Sequence, residues 1–252
     1  MDTATTNDGV LQTRIEDGVL VLTLNRPAAR NALSPELVDA LHRALDAFVE
    51  DDTQHCAVIA GRGRAFCAGL DLKVYAEAGA DRSLVSSLIR RIGLLPKPLI
   101  GAVNGPAVAG GLEIALGCDW LVGSPTAMFA DTHVRIGAFP GGGMTARLSR
   151  AVGARTAKAM SLGGLRLDAD AALRAGLLSE IVDPDRLVIR ATELASAIAA
   201  ADHDLVQGVR TLIDQNADRA LPEALAVEAQ ELQTWRTRGR TGWTVRNVLP
   251  PG

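Results

Sequence analysis

The sequence predicts an α/β fold built on a largely parallel sheet covered by helices. Short apolar, strand-like runs alternate with segments of helical period through the first half of the chain, the order a parallel sheet requires. Two of those runs, 57–60 and 99–103, each lead through a glycine-containing loop into a helical pattern. Beyond Pro140-Gly141-Gly142-Gly143 the chain turns mostly helical in period.

Taken in order, residues 13–16 and 19–24 flank Asp17-Gly18, a two-residue hairpin signal. Asn25-Arg26-Pro27 then breaks the strand. Ser34-Pro35-Glu36 opens a helix: Ser34 caps it, Pro35 suits its first turn, and Glu36 faces its positive end. Leu37, Leu41, Leu45 and Phe48 recur at helical spacing and mark its buried face. A buried strand over 57–60 follows, then a helix over 83–95 stopped by Pro96-Lys97-Pro98. A strand over 99–103, a short helix over 111–117 and a strand over 120–122 come next. Further helices are expected over 154–161, 168–175, 184–200, 205–215 and 221–235, with Asp168 as an N-cap and Gly176 as a C-terminal stop. This order divides the chain into a core, 10–184, and a C-terminal helical region, 185–252. The region ends in a short basic tail with Arg236, Arg238, Arg240 and Arg246, expected to be solvated or buried in an interface.

Composition removes several function classes. The 252 residues are 48% hydrophobic but only 3% aromatic, so the core is aliphatic and platforms for base stacking are scarce. A net charge of -3 also argues against a nucleic-acid partner. Cys56, Cys67 and Cys118 are odd in number and lack metal-ligand spacing, as expected of reduced thiols in a cytoplasmic protein. Residues 1–9 are polar and acidic, unlike a signal or transit peptide, and no apolar run is long enough to span a membrane.

The chemistry is expected in the two loops. The first is Arg64-Ala65-Phe66-Cys67-Ala68-Gly69-Leu70-Asp71-Leu72, and the second Asn104-Gly105-Pro106-Ala107-Val108-Ala109-Gly110-Gly111-Leu112-Glu113. Gly69 and Gly110 permit backbone geometry that other residues resist. The N–H groups of Leu70 and Gly110 could then point into one cavity, the second at a helix start that favours an anion. Two such donors are what a thioester oxygen needs as it gains negative charge. Either loop alone reads equally well as a tight strand-to-helix turn; the pair, in this order, points to a site.

With these loops the chain resembles the enoyl-CoA hydratase/isomerase (crotonase) superfamily over about 19–184. Other landmarks are Asn25-Arg26-Pro27 with Asn31-Ala32-Leu33, Pro96-Lys97-Pro98, Ala102-Val103-Asn104-Gly105, Cys118-Asp119, Gly137, Pro140-Gly141-Gly142 and residues 173–178. The resemblance implies a crotonase-like spiral of ββα units with a C-terminal helical region, assembling as a homotrimer or dimer of trimers. It implies an acyl-CoA thioester as substrate, with coenzyme A entering as part of that substrate and no metal or redox cofactor. The family's oxyanion hole maps onto the backbone N–H groups of Leu70 and Gly110. Ala28-Ala29-Arg30, with Ala68 and Leu72, falls where the family holds the CoA nucleotide, and the Arg30 guanidinium suits phosphate oxygens. Asp71, Gly111, Pro140 and Gly141 in the same motifs join them as candidate CoA- or substrate-binding residues.

The reaction depends on the side chains around that hole. Members that hydrate enoyl-CoA use two glutamates. The first corresponds to Glu113, which would take a proton from water; read blandly, it is a polar residue on a short helix. The second position holds His133, a departure from the pattern. His133 could replace the second glutamate as acid or base, position water beside a lone Glu113, or plug the pocket. Asp131, on the same face of an extended segment, is a candidate to orient it, although Arg135 would share that face. Gly141 stands where the superfamily's dienoyl isomerases and dehalogenases carry an aspartate, which argues against both activities. The short basic C-terminus also departs from the usual acidic, aromatic ending. The expectation is an enoyl-CoA hydratase acting on a trans-2-enoyl-CoA. The alternatives are another acyl-CoA reaction of the superfamily (hydratase-lyase, thioesterase, decarboxylase or isomerase) and a non-catalytic acyl-CoA-binding protein.

Overall fold

The computed structural model describes residues 5–7, 9–78 and 82–237. Strands β1 (Thr5–Asn7), β2 (Leu11–Glu16) and β3 (Val19–Leu24) form an antiparallel meander. The β2–β3 turn is the expected two-residue hairpin: Glu16 pairs with Val19, and Asp17 and Gly18 take φ of 48° and 77°. Helix α1 (Pro35–Glu50) follows, with the Ser34 hydroxyl accepting from the Leu37 N–H. Then come β4 (Cys56–Gly61), α2 (Leu72–Ala78), α3 (Ser83–Ile92) and β5 (Leu99–Val103). Next are β6 (Pro106–Val108), α4 (Gly110–Gly117), β7 (Trp120–Gly123) and β8 (Met128–Ala130). After α5 (Met144–Val152) and α6 (Ala154–Ser161) the chain forms β9 (Arg166–Asp168), α7 (Ala169–Arg174) and β10 (Glu180–Ile181). It continues with α8 (Leu187–Ala199), α9 (His203–Asn216) and α10 (Leu221–Thr237).

The main sheet has seven strands in the order β1-β2-β3-β4-β5-β7-β10, and every pair from β3 onward is parallel. A second sheet, β6-β8-β9, has three strands. Its strands are only three residues long, too short for a period-2 signal, and the sequence reading passed over them.

The period-2 alternation of the main sheet divides the core in two. Leu20, Leu22, Leu24, Ala57, Ile59, Leu99, Val103 and Leu121 face α1, α3 and α4 in the larger cluster. Val19, Val21, Cys56, Val58, Ala60, Ile100, Ala102 and Val122 face α8, which presents Leu187, Ala191 and Ala195. Small side chains on both surfaces let α8 lie close to the strands. For this reason α8 belongs to the first compact unit, which runs to His203, whereas the sequence reading drew the boundary at 184/185. The second unit begins at Asp204 and holds most of α9 together with α10. Arg238, Arg240 and Arg246 of the basic tail lie outside the described residues. Among the described residues, no helix is long and apolar enough to cross a membrane.

Candidate active site

The two glycine loops are zipped together by backbone hydrogen bonds. The Phe66 and Cys67 N–H groups donate to the Pro106 carbonyl at 3.1 and 3.2 Å, and the Val108 N–H donates to the Cys67 carbonyl at 2.9 Å. On the other side, the Leu33 N–H reaches the Gly69 carbonyl at 2.8 Å, and Asp71 N–H the Leu33 carbonyl at 3.1 Å. Among the described residues these loop bonds leave the Leu70 and Gly110 N–H groups uncommitted. Glycine is required at the junction for two reasons. Gly69 has φ of 86°, and a Cβ there would sit 2.8 Å from the Val108 carbonyl oxygen. A Cβ on Gly111 would overlap the Cys67 carbonyl. Between the glycines, Ala109 is held at φ 48° and ψ -115°. Strain of this kind in a residue that has a Cβ concentrates at functional sites.

A cavity of about 450 Å³ opens beside this junction. Ala68, Leu70, Leu72, Ala109 and Gly110 line it from the loops, and Val85, Ser86 and Ile89 from α3. Glu113 and His133 meet there. Glu113 is 3% exposed, on the first turn of α4. Its Oε1 accepts from the N–H groups of Gly142 and Met144 at 2.8 and 3.1 Å, the first in the turn before α5 and the second a donor left free at the helix start. Gly142 must lack a side chain, because a Cβ there would stand 2.7 Å from Glu113 Oε2. That oxygen lies 4.0 Å from His133 Nε2.

His133 opens a short 3-10 turn, with φ -55° and ψ -51°, rather than continuing an extended strand. The turn still brings Asp131 to it: Asp131 Oδ1 accepts from the His133 N–H at 3.1 Å and lies 2.7 Å from Nδ1. Arg135 turns away and donates to the Gly163 carbonyl, so the shared charged face expected of an extended segment does not form. The Asp131 bond holds the His133 imidazole above the usual histidine range, against the opposing effect of burial; the nearby Glu113 charge adds to the rise.

The other candidates take varied places. Ala28, Ala29 and Arg30 form a surface turn outside the cavity, tied to it where the Ala68 N–H donates to the Arg30 carbonyl at 3.0 Å. Asp71 is committed elsewhere: its carboxylate pairs with Arg26 at 2.9 Å and does not line the cavity. Gly111 is buried against the first loop, and Pro140 is not among the lining residues, whereas Gly141 is. The Gly141 carbonyl accepts from Arg90 at 3.1 Å. Sequence reasoning missed Gly142 and Met144, which hold Glu113, and the α3 wall. The apolar stripe of α3 announces a buried face but not what that face encloses. A larger hollow, of about 930 Å³, lies between α9 and α10, but it is lined mainly by aliphatic side chains and contains no histidine.

Comparison with known proteins places the chain in a family. A family model described as enoyl-CoA hydratase/isomerase matches residues 14–241. The 2,3-dehydroadipyl-CoA hydratase of Escherichia coli is 40% identical over 215 residues, covering 84% of each chain. The probable peroxisomal enoyl-CoA hydratase 1 of Arabidopsis thaliana is 32% identical over 234 residues, 92% of this chain and 88% of that protein. The solved structure of an enoyl-CoA hydratase from Mycobacterium tuberculosis matches with a TM-score of 0.75 at 39% identity, covering 90% of this chain and 99% of that one. The loop pair, the paired sheets and these matches together establish that the chain belongs to the enoyl-CoA hydratase/isomerase family of the crotonase superfamily.

Proposed function

We propose that the protein is an enoyl-CoA hydratase, adding water across the double bond of a trans-2-enoyl-CoA thioester. One observation carries the reading. Glu113 is fixed through one oxygen, and its other oxygen faces His133 Nε2 across 4.0 Å within the cavity that Leu70 and Gly110 also line. A water oxygen about 2.8 Å from both atoms is compatible with that separation. His133 then leaves room for the reacting water, which favours an active site over a plugged one.

In this reading the thioester oxygen rests between the Leu70 and Gly110 N–H groups. Water attacks the β-carbon and gives a proton to Glu113 Oε2. The electron pair of the double bond moves toward the thioester oxygen, where the two N–H groups and the start of α4 stabilise the enolate. A proton delivered to the α-carbon from Glu113 or His133 completes the addition. Coenzyme A enters as part of the substrate, with its nucleotide near the exposed Arg30, and the aliphatic walls supplied by Val85 and Ile89 suit an apolar acyl chain. The reading includes assembly as a homotrimer or dimer of trimers. It is supported by the leucines and branched aliphatics left exposed on α9 and α10: Leu205, Val209, Ile213, Leu221, Leu225 and Leu232.

The test is hydration of crotonyl-CoA by wild type and by Glu113→Gln. Loss of general-base catalysis is expected to lower kcat by on the order of 10² to 10⁴. Binding of CoA should be nearly unchanged. Undiminished turnover in the variant overturns the assignment of Glu113.

A further inference from the structure

Behind His133 lies a chain of polar groups that hydration by Glu113 alone does not use. Asp131 is 2% exposed, in a part of the core where a carboxylate is costly unless fully hydrogen-bonded. It has three partners: the His133 N–H, His133 Nδ1 and the hydroxyl of Ser161 at the end of α6. An ionised carboxylate only accepts, so the 2.7 Å contact requires the hydrogen on Nδ1. The imidazole is therefore fixed in rotation and tautomer, and Nε2 is the ring atom that faces Glu113 Oε2 at 4.0 Å. Side chains from three separated segments make one series of contacts: Ser161, Asp131, His133, then the gap, then Glu113.

We infer that Asp131, anchored by Ser161, is a positioning residue that holds His133 as an imidazolium with its Nε2–H aimed into the gap, making His133 the donor of the α-carbon proton. This inference rests on the hydratase reading above. In the step, an O–H bond of water breaks and its proton goes to Glu113 Oε2 as the new C–O bond forms at the β-carbon. The displaced electron pair takes the proton from His133 Nε2 to form the α C–H bond. Glu113 is left protonated and His133 neutral. Return of the Glu113 proton to Nε2, through one water across the gap, restores the opposite charges of the resting pair. Two carboxylates reset in a different way, since one of them must hold a proton at rest.

The charges that act on His133 support this charge state. Asp131 on its own segment and Glu113 on α4 both favour the cation, while burial opposes it. On α5, Arg147 interacts with Glu113, and Arg135 is bonded to Gly163 instead. The imidazolium therefore persists as the pH rises past the ordinary histidine value of about 6.5, and activity falls only when it is lost at higher pH.

The experiment combines kinetics with nitrogen-15 NMR of the histidine rings in the full-length protein. In wild type, His133 is expected to titrate above about 6.5, with hydrogens on both ring nitrogens below that midpoint and on Nδ1 alone above it. Asp131→Asn should lower kcat for crotonyl-CoA by roughly ten- to a hundredfold with KM changed little, and move the alkaline limb of the kcat profile toward acid. Ser161→Ala, a gentler change, should move the limb in the same direction by less. A wild-type His133 that titrates at or below about 6.5, or whose neutral form carries its hydrogen on Nε2, overturns the inference even if Asp131→Asn does not fold. So does an Asp131→Asn enzyme with the wild-type limb and kcat, and in that case hydration by Glu113 stands. Absence of hydration in wild type overturns the parent reading and the proton-donor role together.

Discussion

His133 decides at the residue scale how this site differs from a pair of glutamates. Its Nε2 stands 4.0 Å from Glu113 and its Nδ1 lies 2.7 Å from Asp131, the arrangement on which the proposed proton-donor role rests. Replacement by Gln keeps a polar group but no titrating one, and should lower kcat by on the order of 10² or more. His133→Glu restores a second carboxylate. It should retain more activity than His133→Gln and bring the alkaline limb of the kcat profile to lower pH, both read from the rate of crotonyl-CoA hydration across pH 5 to about 9. The sequence singled out Glu113 through the second loop and His133 by its distance before Pro140-Gly141 in the family pattern, and the structure brings both to one cavity. Asp131 was legible only by its spacing of two, and the contact arises by a 3-10 turn instead of the extended segment that spacing suggested. Ser161 gave no signal, because a serine ending one helix carries nothing about a carboxylate thirty residues earlier in the chain.

At the scale of elements, the two strand-to-helix loops act as one unit. Each was readable as a glycine turn, and their order marked them as a pair, but the bonds that zip Phe66, Cys67 and Val108 together join residues some forty positions apart. No local pattern predicts those bonds. Gly111→Ala tests the junction. Its added Cβ would overlap the Cys67 carbonyl, a backbone group that cannot swing aside. The substitution should cost about 1–3 kcal/mol or more of stability, measured by denaturant unfolding, and reduce hydration as well. Wild-type stability would show that helix α4 can shift away from the first loop without consequence. Glu113 is similarly a product of two elements: α4 carries it, and the uncapped start of α5 fixes its Oε1. The sequence reading placed helical structure after Gly143 without giving α5 its bounds, so the anchor of the carboxylate went unrecognised.

Across the whole molecule, the seven-stranded sheet keeps its alternating faces buried between α1, α3 and α4 on one side and α8 on the other. That layered arrangement was legible from the alternation of strand-like with helical segments, and in Val19–Leu24 every residue but Thr23 is apolar because both faces are covered. The second sheet was not legible, its strands being held by pairing rather than by side-chain pattern. The apolar residues exposed on α9 and α10 are the surface on which the proposed assembly rests. Light scattering should give three or six times the chain mass. A double substitution, Ile213→Asp with Leu225→Asp, should lower that mass by placing charge on an apolar face. A monomeric wild type would contradict the assembly, leaving the chemistry within one chain unaffected.

The most direct test of the account is the loss of the conjugated-thioester absorbance of crotonyl-CoA, followed with wild type and Glu113→Gln side by side at neutral pH. Steady loss is expected with wild type and, with the variant, a rate lower by on the order of 10² to 10⁴ while CoA still binds. Equal rates for the two proteins, or no loss with wild type despite CoA binding, would contradict it.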